Sequence, residues 1–187
     1  MGQLYLALTH YPVLNRVGDT IASAITNLDL HDLARACRTF AVPACYIVTP
    51  LEDQRALAGK LTSHWIDGVG GEILPERREA LKLLKVVESL RAVIEELARS
   101  QGKPPVIWAT SAQSKGNGLA HSRARQLLES ENGSFLLVLG TGWGLAPEIF
   151  DIADAVLDPI VGVDGYNHLP VRSAASILMD RLLGRPN

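Results

Sequence analysis

The sequence predicts an α/β fold built on a mostly parallel sheet with helices on both faces. Short apolar runs alternate along the chain with longer stretches of helical apolar spacing. The runs are continuous rather than alternating in polarity, as expected of strands buried on both faces. One of them, Phe135-Leu136-Leu137-Val138-Leu139, leads straight into Gly140-Thr141-Gly142-Trp143-Gly144-Leu145, a strand-to-loop junction of the kind where α/β proteins gather ligands. The chain shows no internal repeat and no linker, so residues 1–187 read as one domain.

The elements follow in order. Residues 4–9 form a first strand, ended by His10-Tyr11-Pro12. From 18 to 40, small and apolar residues recur at helical spacing, with Asp29 as a cap before Leu30, Leu33 and Ala34. Residues 45–48 are the next strand. Residues 51–64 are helical, and Gly68, Gly70 and Gly71 break that helix. Residues 76–100 read as a helical region whose stripe of Leu81, Leu84, Val87, Leu90, Ile94 and Leu97 belongs to the core, closed by Gly102-Lys103-Pro104-Pro105. Residues 106–109 are a third buried strand, 110–118 a polar loop, and 120–129 a helix. After the strand at 135–139 comes a brief one at 155–157, and a last helix spans 170–183, with Pro170 suited to its first turn.

Composition narrows the class. With 47% hydrophobic residues and a mean hydropathy of +0.12, the chain is neither a disordered segment nor a membrane-spanning one, because no apolar stretch approaches the ~20 residues a spanning helix needs. No signal peptide is evident, and the expected compartment is cytoplasmic. Cys37 and Cys45 make no disulfide framework and lack the spacing of zinc or redox motifs. No pair among His10, His31, His64 and His121 has ligand spacing, so no metal is expected. Net charge is -2 and the sequence pI about 6.2. That balance argues against a free-standing, tight RNA binder and asks for a local basic patch, a dimer groove or a helper RNA-binding domain.

Three loops at predicted strand ends carry the chemistry: Thr110-Ser111-Ala112, the Gly140–Leu145 loop, and residues 160–169. Glycine lets the middle loop bend through positive φ and lets a ligand approach its backbone. A tight turn without ligand fits the same spacing. The loop lacks the later glycine and acidic residue of a dinucleotide fingerprint and the Gly-Lys-Ser/Thr of a P-loop. A nucleotide-binding enzyme using the Gly140 loop stays open as a reading. Asp29, His31 and Asp32 are the densest acid–base cluster, and a helix cap with solvated neighbours explains them equally. Arg172 opens the last helix, where a cation opposes the helix dipole and asks for an anionic partner. Lys115, Arg123 and Arg125 flank a glycine-containing loop, either as an RNA-facing patch or as solvated charges.

Several of these segments together resemble the SPOUT class of RNA methyltransferases. They are the Phe135–Leu145 stretch, Leu157-Asp158-Pro159-Ile160, and Tyr166-Asn167-His168-Leu169-Pro170-Val171-Arg172-Ser173-Ala174-Ala175. With Thr26-Asn27-Leu28-Asp29-Leu30-His31-Asp32-Leu33-Ala34-Arg35, they are most similar to a bacterial subgroup sometimes fused to tRNA guanine-N1 methyltransferase. The resemblance runs over residues 4–184. It implies a C-terminal trefoil knot, a homodimer packed around it, bent S-adenosylmethionine (SAM) as cofactor, and an RNA substrate, with tRNA expected.

Carried over residue by residue, it implies catalytic roles for Arg35 and Asp29. Cofactor binding falls to Thr110, Ser111, Leu139, Gly140, Thr141, Gly142, Gly144, Ile160, Tyr166, Asn167, His168, Leu169 and Val171. RNA binding falls to Arg38, Lys115 and Arg172. The first motif departs from the ribose 2'-O-methylating branch. Aligning Arg35 with that branch's arginine puts Asp29 where it has asparagine and His31 where it has glycine, and Pro170 stands where its final motif has asparagine. Ribose chemistry is therefore not carried over. The expected activity is SAM-dependent RNA methyl transfer; a noncatalytic dimeric module that binds cofactor or RNA for another enzyme is the alternative.

Overall fold

The structure, a computed structural model, describes residues 2–114, 116–164 and 166–185. Strand β1 (Gln3–Thr9) leads into a small hairpin of β2 (Val13–Leu14) and β3 (Thr20–Ile21). Helix α1 (Asn27–Thr39), β4 (Cys45–Val48), α2 (Glu52–Ile66), α3 (Val69–Ile73), α4 (Pro75–Leu81) and β5 (Leu84–Val87) follow. The second half runs α5 (Leu90–Gln101), β6 (Val106–Ala109), α6 (His121–Ser130), β7 (Ser134–Gly140), α7 (Pro147–Asp151), β8 (Ala155–Val156) and α8 (Val171–Leu183).

Six strands make a parallel sheet in the order β5-β4-β1-β7-β6-β8. The alternation of side chains across each strand explains why both faces are apolar. Leu4, Leu6 and Leu8 of β1 point with Phe135, Leu137 and Leu139 of β7 toward α1, α6 and α8. Tyr5 and Ala7 point with Leu136 and Val138 the other way, toward Leu90, Val93 and Leu97 of α5 and Ile149 of α7. The predicted sheet with helices on both faces is the one observed.

Two predicted elements are corrected. The helical region expected over 76–100 contains an edge strand, β5, between α4 and α5. Apolar residues every third position satisfied a helical template, while Leu84–Val87 pairs in register with Cys45–Val48. The helix expected from Gly18 starts only at Asn27. Thr26 is its N-cap, accepting from the Asp29 N–H, so Asp29 sits in the first turn of the helix. Helix α2 ends before the glycines, as expected, and the chain restarts at Gly68 as α3. Gly70 and Gly71 are buried in α3 because a Cβ on either would collide with Trp65. Pro170 caps α8 from outside its first turn.

Candidate functional site

The sheet places its reactive end by topology. After β1 the chain builds outward through β4 and β5 on one side, then returns through β6 and β7 on the other, so the order reverses between β1 and β7. Carboxyl strand ends at such a switch point leave a crevice. Here the crevice is a cavity of about 1120 Å³, slightly above the range of about 300–1,000 Å³ usual for small-molecule sites.

The Gly140–Leu145 loop forms one wall. Its tight return depends on Gly140, where a Cβ would stand 2.8 Å from the Leu145 nitrogen, and on Gly142, whose φ of +58° is left-handed. The hairpin laces this loop in place: Trp143 N–H donates to Leu14 O at 2.9 Å and Leu14 N–H to Gly144 O at 2.9 Å. Thr141 N–H and Oγ1 both donate to Thr9 O. Ser111 and Thr110 reach the cavity from the end of β6, where the Thr110 hydroxyl donates to Val138 O at 3.0 Å. The third wall is the segment before α8. Asn167 Nδ2 donates to Ala112 O, tying the first and third loops together.

The cavity therefore brings together Thr110, Ser111, Leu139, Gly140, Thr141, Gly142, Gly144, Ile160, Asn167, His168, Leu169 and Val171 from the predicted set. Tyr166 stands off it, largely exposed, with its ring edge-on to His168 at 5.3 Å. Lys115 lies outside the described residues. Leu14, Arg16, Ser23 and Thr26 line the cavity too, and sequence reasoning missed them. The available signal was the Thr26-x-x-Asp29 capping spacing, which starts the helix later and frees residues 13–24 to form loop and hairpin.

Asp29 lies at the cavity edge, only 4% exposed. It accepts from the Thr26 hydroxyl at 2.6 Å and from Arg172 Nη1 at 2.9 Å, while Arg172 Nε reaches Asp32 at 3.1 Å. These carboxylates are the anionic partner that a cation at the start of α8 requires, and the Asp29 hydrogen bond leads the effects that raise the Arg172 pKa. The bridge welds α1 to α8. Beside it, His10 follows β1 fully buried, its ring making no hydrogen bond of good geometry and lying near the Leu8 backbone. Burial holds its pKa below the usual 6.5, with Asp29 and the Leu8 backbone pulling the other way. Arg35 and Arg38 are exposed on α1 and do not line the cavity.

Among the described residues, no helix is long and apolar enough to cross a membrane, and no group of three or more His, Cys, Asp or Glu is placed to hold a metal.

A doubly wound parallel sheet with a glycine-looped cavity at its switch point defines an α/β protein with a cavity of small-molecule size where such folds bind ligands. The SAM-dependent RNA methyltransferase family matches residues 3–184, and the chain belongs to that family. A tRNA (guanine-N(1)-)-methyltransferase of Nitratidesulfovibrio vulgaris is 48% identical over 181 residues, which cover 97% of this chain and 42% of that protein. The chain thus spans about two fifths of the length of that curated relative. Among solved structures, a "Probable Methyltransferase from Bordetella pertussis Tohama I" superposes with a TM-score of 0.63 at 17% identity, covering 97% of this chain and 94% of that one. The "A. aeolicus TrmH/SpoU tRNA modifying enzyme" does so with a TM-score of 0.56 at 15% identity, over 98% and 75% of the two chains. Both likenesses are of fold.

Proposed function

We propose that this chain transfers the methyl group of SAM to tRNA, as a single domain over residues 1–187 acting in the cytoplasm. The observation that carries the reading is the cavity itself: three loops from three strand ends converge on it, and its glycines supply a cradle that a Cβ at 140 would close. The cradle fits an adenosyl group. Backbone around Gly140, Ile160 and Leu169 would hold it, and the hydroxyls of Thr110 and Ser111 offer polar contacts. Bound SAM supplies a methyl group on a sulfonium, already activated for transfer.

The protein's part is alignment of acceptor and methyl donor. Asp29, held by Thr26 and Arg172, lies at the cavity edge as the catalytic carboxylate, able to accept a proton from the acceptor nucleotide. Arg35 does not line its own cavity, so its catalytic role requires a homodimer in which it reaches the partner's site. The C-terminal trefoil knot implied by the SPOUT resemblance belongs to the same proposal. Of Ala174, Ile177 and Leu178, the α8 residues expected near the dimer contact, Leu178 is buried in this chain's own core, which leaves Ala174 and Ile177, flanked by Ser173 and Ser176. Arg38, Lys115 and Arg172 contribute to RNA binding, with a helper RNA-binding domain as a further partner.

Calorimetric titration with SAM, then incubation of the protein with bulk tRNA and radiolabelled SAM, tests the reading. Saturable SAM binding with label in tRNA is expected. Binding without transfer to any RNA overturns the enzymatic part, and no binding overturns the site.

A further inference from the structure

The face formed by α1, α2 and α4 carries a cluster that the cavity does not use. Trp65 of α2 is its centre. The Arg77 guanidinium of α4 stacks over the Trp65 ring, with its carbon 4.8 Å from the ring centroid. His31 and His64 meet the same ring edge-on at 5.3 and 5.4 Å. The buried glycines explain the flat seat. A Cβ at Gly70 would stand 2.8 Å from the Trp65 ring, and one at Gly71 would overlap the Trp65 carbonyl. Arg35 on α1 lies within electrostatic reach of His31, Arg38 on α1 and Arg78 on α4 within reach of Glu79, and the Arg78 stem packs by Gly71.

The four arginines are electrostatically underused. Among the described residues, none has a carboxylate within 4.0 Å. Glu79, which Arg38 and Arg78 reach only at longer range, is taken up by Lys82 at 2.9 Å. Asp32 is taken up by Arg172. The Arg78 Nε is buried without a hydrogen-bond partner. Burial, then Arg77, depresses the His31 pKa, with Asp32 opposing and Arg35 adding to the effect, so His31 stays neutral while the cations project around it. Unpaired cations on a rigid aromatic shelf are organised to receive an anion, because a stacked guanidinium keeps its fork of donors aimed outward.

We propose that this surface docks the phosphate backbone of the RNA substrate, with Arg77, Arg38 and Arg78 as phosphate ligands and Trp65 as the residue that positions Arg77. The inference rests on the RNA methyltransferase reading and adds where the RNA lies outside the cavity. Arg35, on the same face of α1, marks the end of the track.

The test uses the full chain and fluorescein-labelled bulk tRNA, followed by anisotropy between 50 and 200 mM salt. The double reversal R38E/R77E weakens tRNA binding about tenfold or more at low salt and lowers the slope of log affinity against log salt by about two, one for each phosphate that is no longer neutralised. Its SAM titration stays that of the wild type, and its melt stays cooperative with at most the small loss expected from removing the Arg77–Trp65 stack. W65L, tested at equal melting temperature, also weakens binding and reduces the slope, whereas W65F, which keeps a ring under Arg77, restores both. A wild type that does not bind tRNA at 50 mM salt, or an R38E/R77E variant that binds it with unchanged affinity and slope, overturns the proposal. So does a reversal that changes only the sedimenting mass, which would make this face a protein interface. Arginine-dependent tRNA binding without methyl transfer leaves the docking surface standing and removes the enzymatic reading; methyl transfer indifferent to R38E/R77E does the opposite.

Discussion

Gly140→Ala isolates what the glycine loop contributes to the cavity. Gly140 ends β7, and its register partner is Thr9 at the end of β1, so its own backbone is held by the centre of the sheet. An added Cβ would stand 2.8 Å from the Leu145 nitrogen and 3.0 Å from the Gly144 carbonyl carbon, inside the 3.4 Å at which ordinary contact begins. The strand cannot retreat, so residues 144 and 145 must, and they are the cavity wall. Overpacking of this kind costs about 1–3 kcal/mol. If the displaced wall is the one that holds SAM, most of that cost reappears in binding, a loss of roughly 10- to 100-fold in affinity. Gly59→Ala serves as the matched control. Gly59 lies on exposed helix α2 with nothing within 4 Å of its Cβ position, so the change should leave SAM binding alone and raise stability by about 0.5–1 kcal/mol. Calorimetry with SAM and thermal melts of both variants provide the readouts. A folded Gly140→Ala protein that titrates like wild type would refute the assignment of this loop to the cofactor.

The remaining predictions test the site and its supports. Asp29→Ala removes a buried acceptor for both Thr26 and Arg172 and should cost about 2 kcal/mol in urea denaturation, against less than about 1 kcal/mol for the half-exposed Asp32. Equal losses would remove the buried bridge as the support. His10 has a depressed folded pKa, so the unfolded chain binds its proton more readily. Its contribution is complete above the usual 6.5 and is lost as pH falls below that value, by about 1.4 kcal/mol per pH unit until the folded imidazole also protonates. His31 and His121, also depressed, act with the same sign, and His10→Gln should flatten the acid limb of a stability–pH curve. Arg35→Ala should lower methyl transfer to bulk tRNA by roughly 2 to 4 kcal/mol in activation free energy while SAM affinity holds; equal turnover would exclude the catalytic role. Ile177→Glu should shift a sedimenting dimer toward monomer, and a wild type already monomeric at micromolar concentration would end the composite-site reading.

The sheet was legible where burial leaves one solution. β1, β4, β6 and β7 are enclosed by helices on both sides, and their continuous apolar runs cannot be drawn as amphipathic helices of that length. At the edge the signal weakens. β5 alternates half-buried positions with exposed Lys85, and its Leu84 and Val87 continue the every-third spacing of the flanking helices. Only pairing with β4, a contact across some forty residues of chain, decides for strand. The two-residue strands of the hairpin carry no periodicity at all. They exist because Leu14 exchanges hydrogen bonds with Trp143 and Gly144, a long-range reason no local window contains.

The cavity's lining was legible for a related reason: a parallel sheet delivers the ends of its strands to one edge, so residues far apart in sequence become neighbours by topology alone. Charge was harder to read. Twenty Asp and Glu against eighteen Lys and Arg give a mildly acidic total, but a total averages over faces that differ. On α5 and α6 carboxylates and cations pair at helical spacing, Arg91 with Glu95 and Arg125 with Glu129, and Lys85 of β5 reaches Glu96. Those pairs cancel locally. On the α1–α4 face Glu79 is committed to Lys82 and Asp32 to Arg172, while Arg35, Arg38, Arg77 and Arg78 form no ion pair among the described residues. Screening confines such a field to about 10 Å at ordinary salt, so an RNA strand responds to the cations within that distance and not to the net charge of the chain. An acidic protein can therefore present a basic surface to RNA, provided that its carboxylates are spent elsewhere.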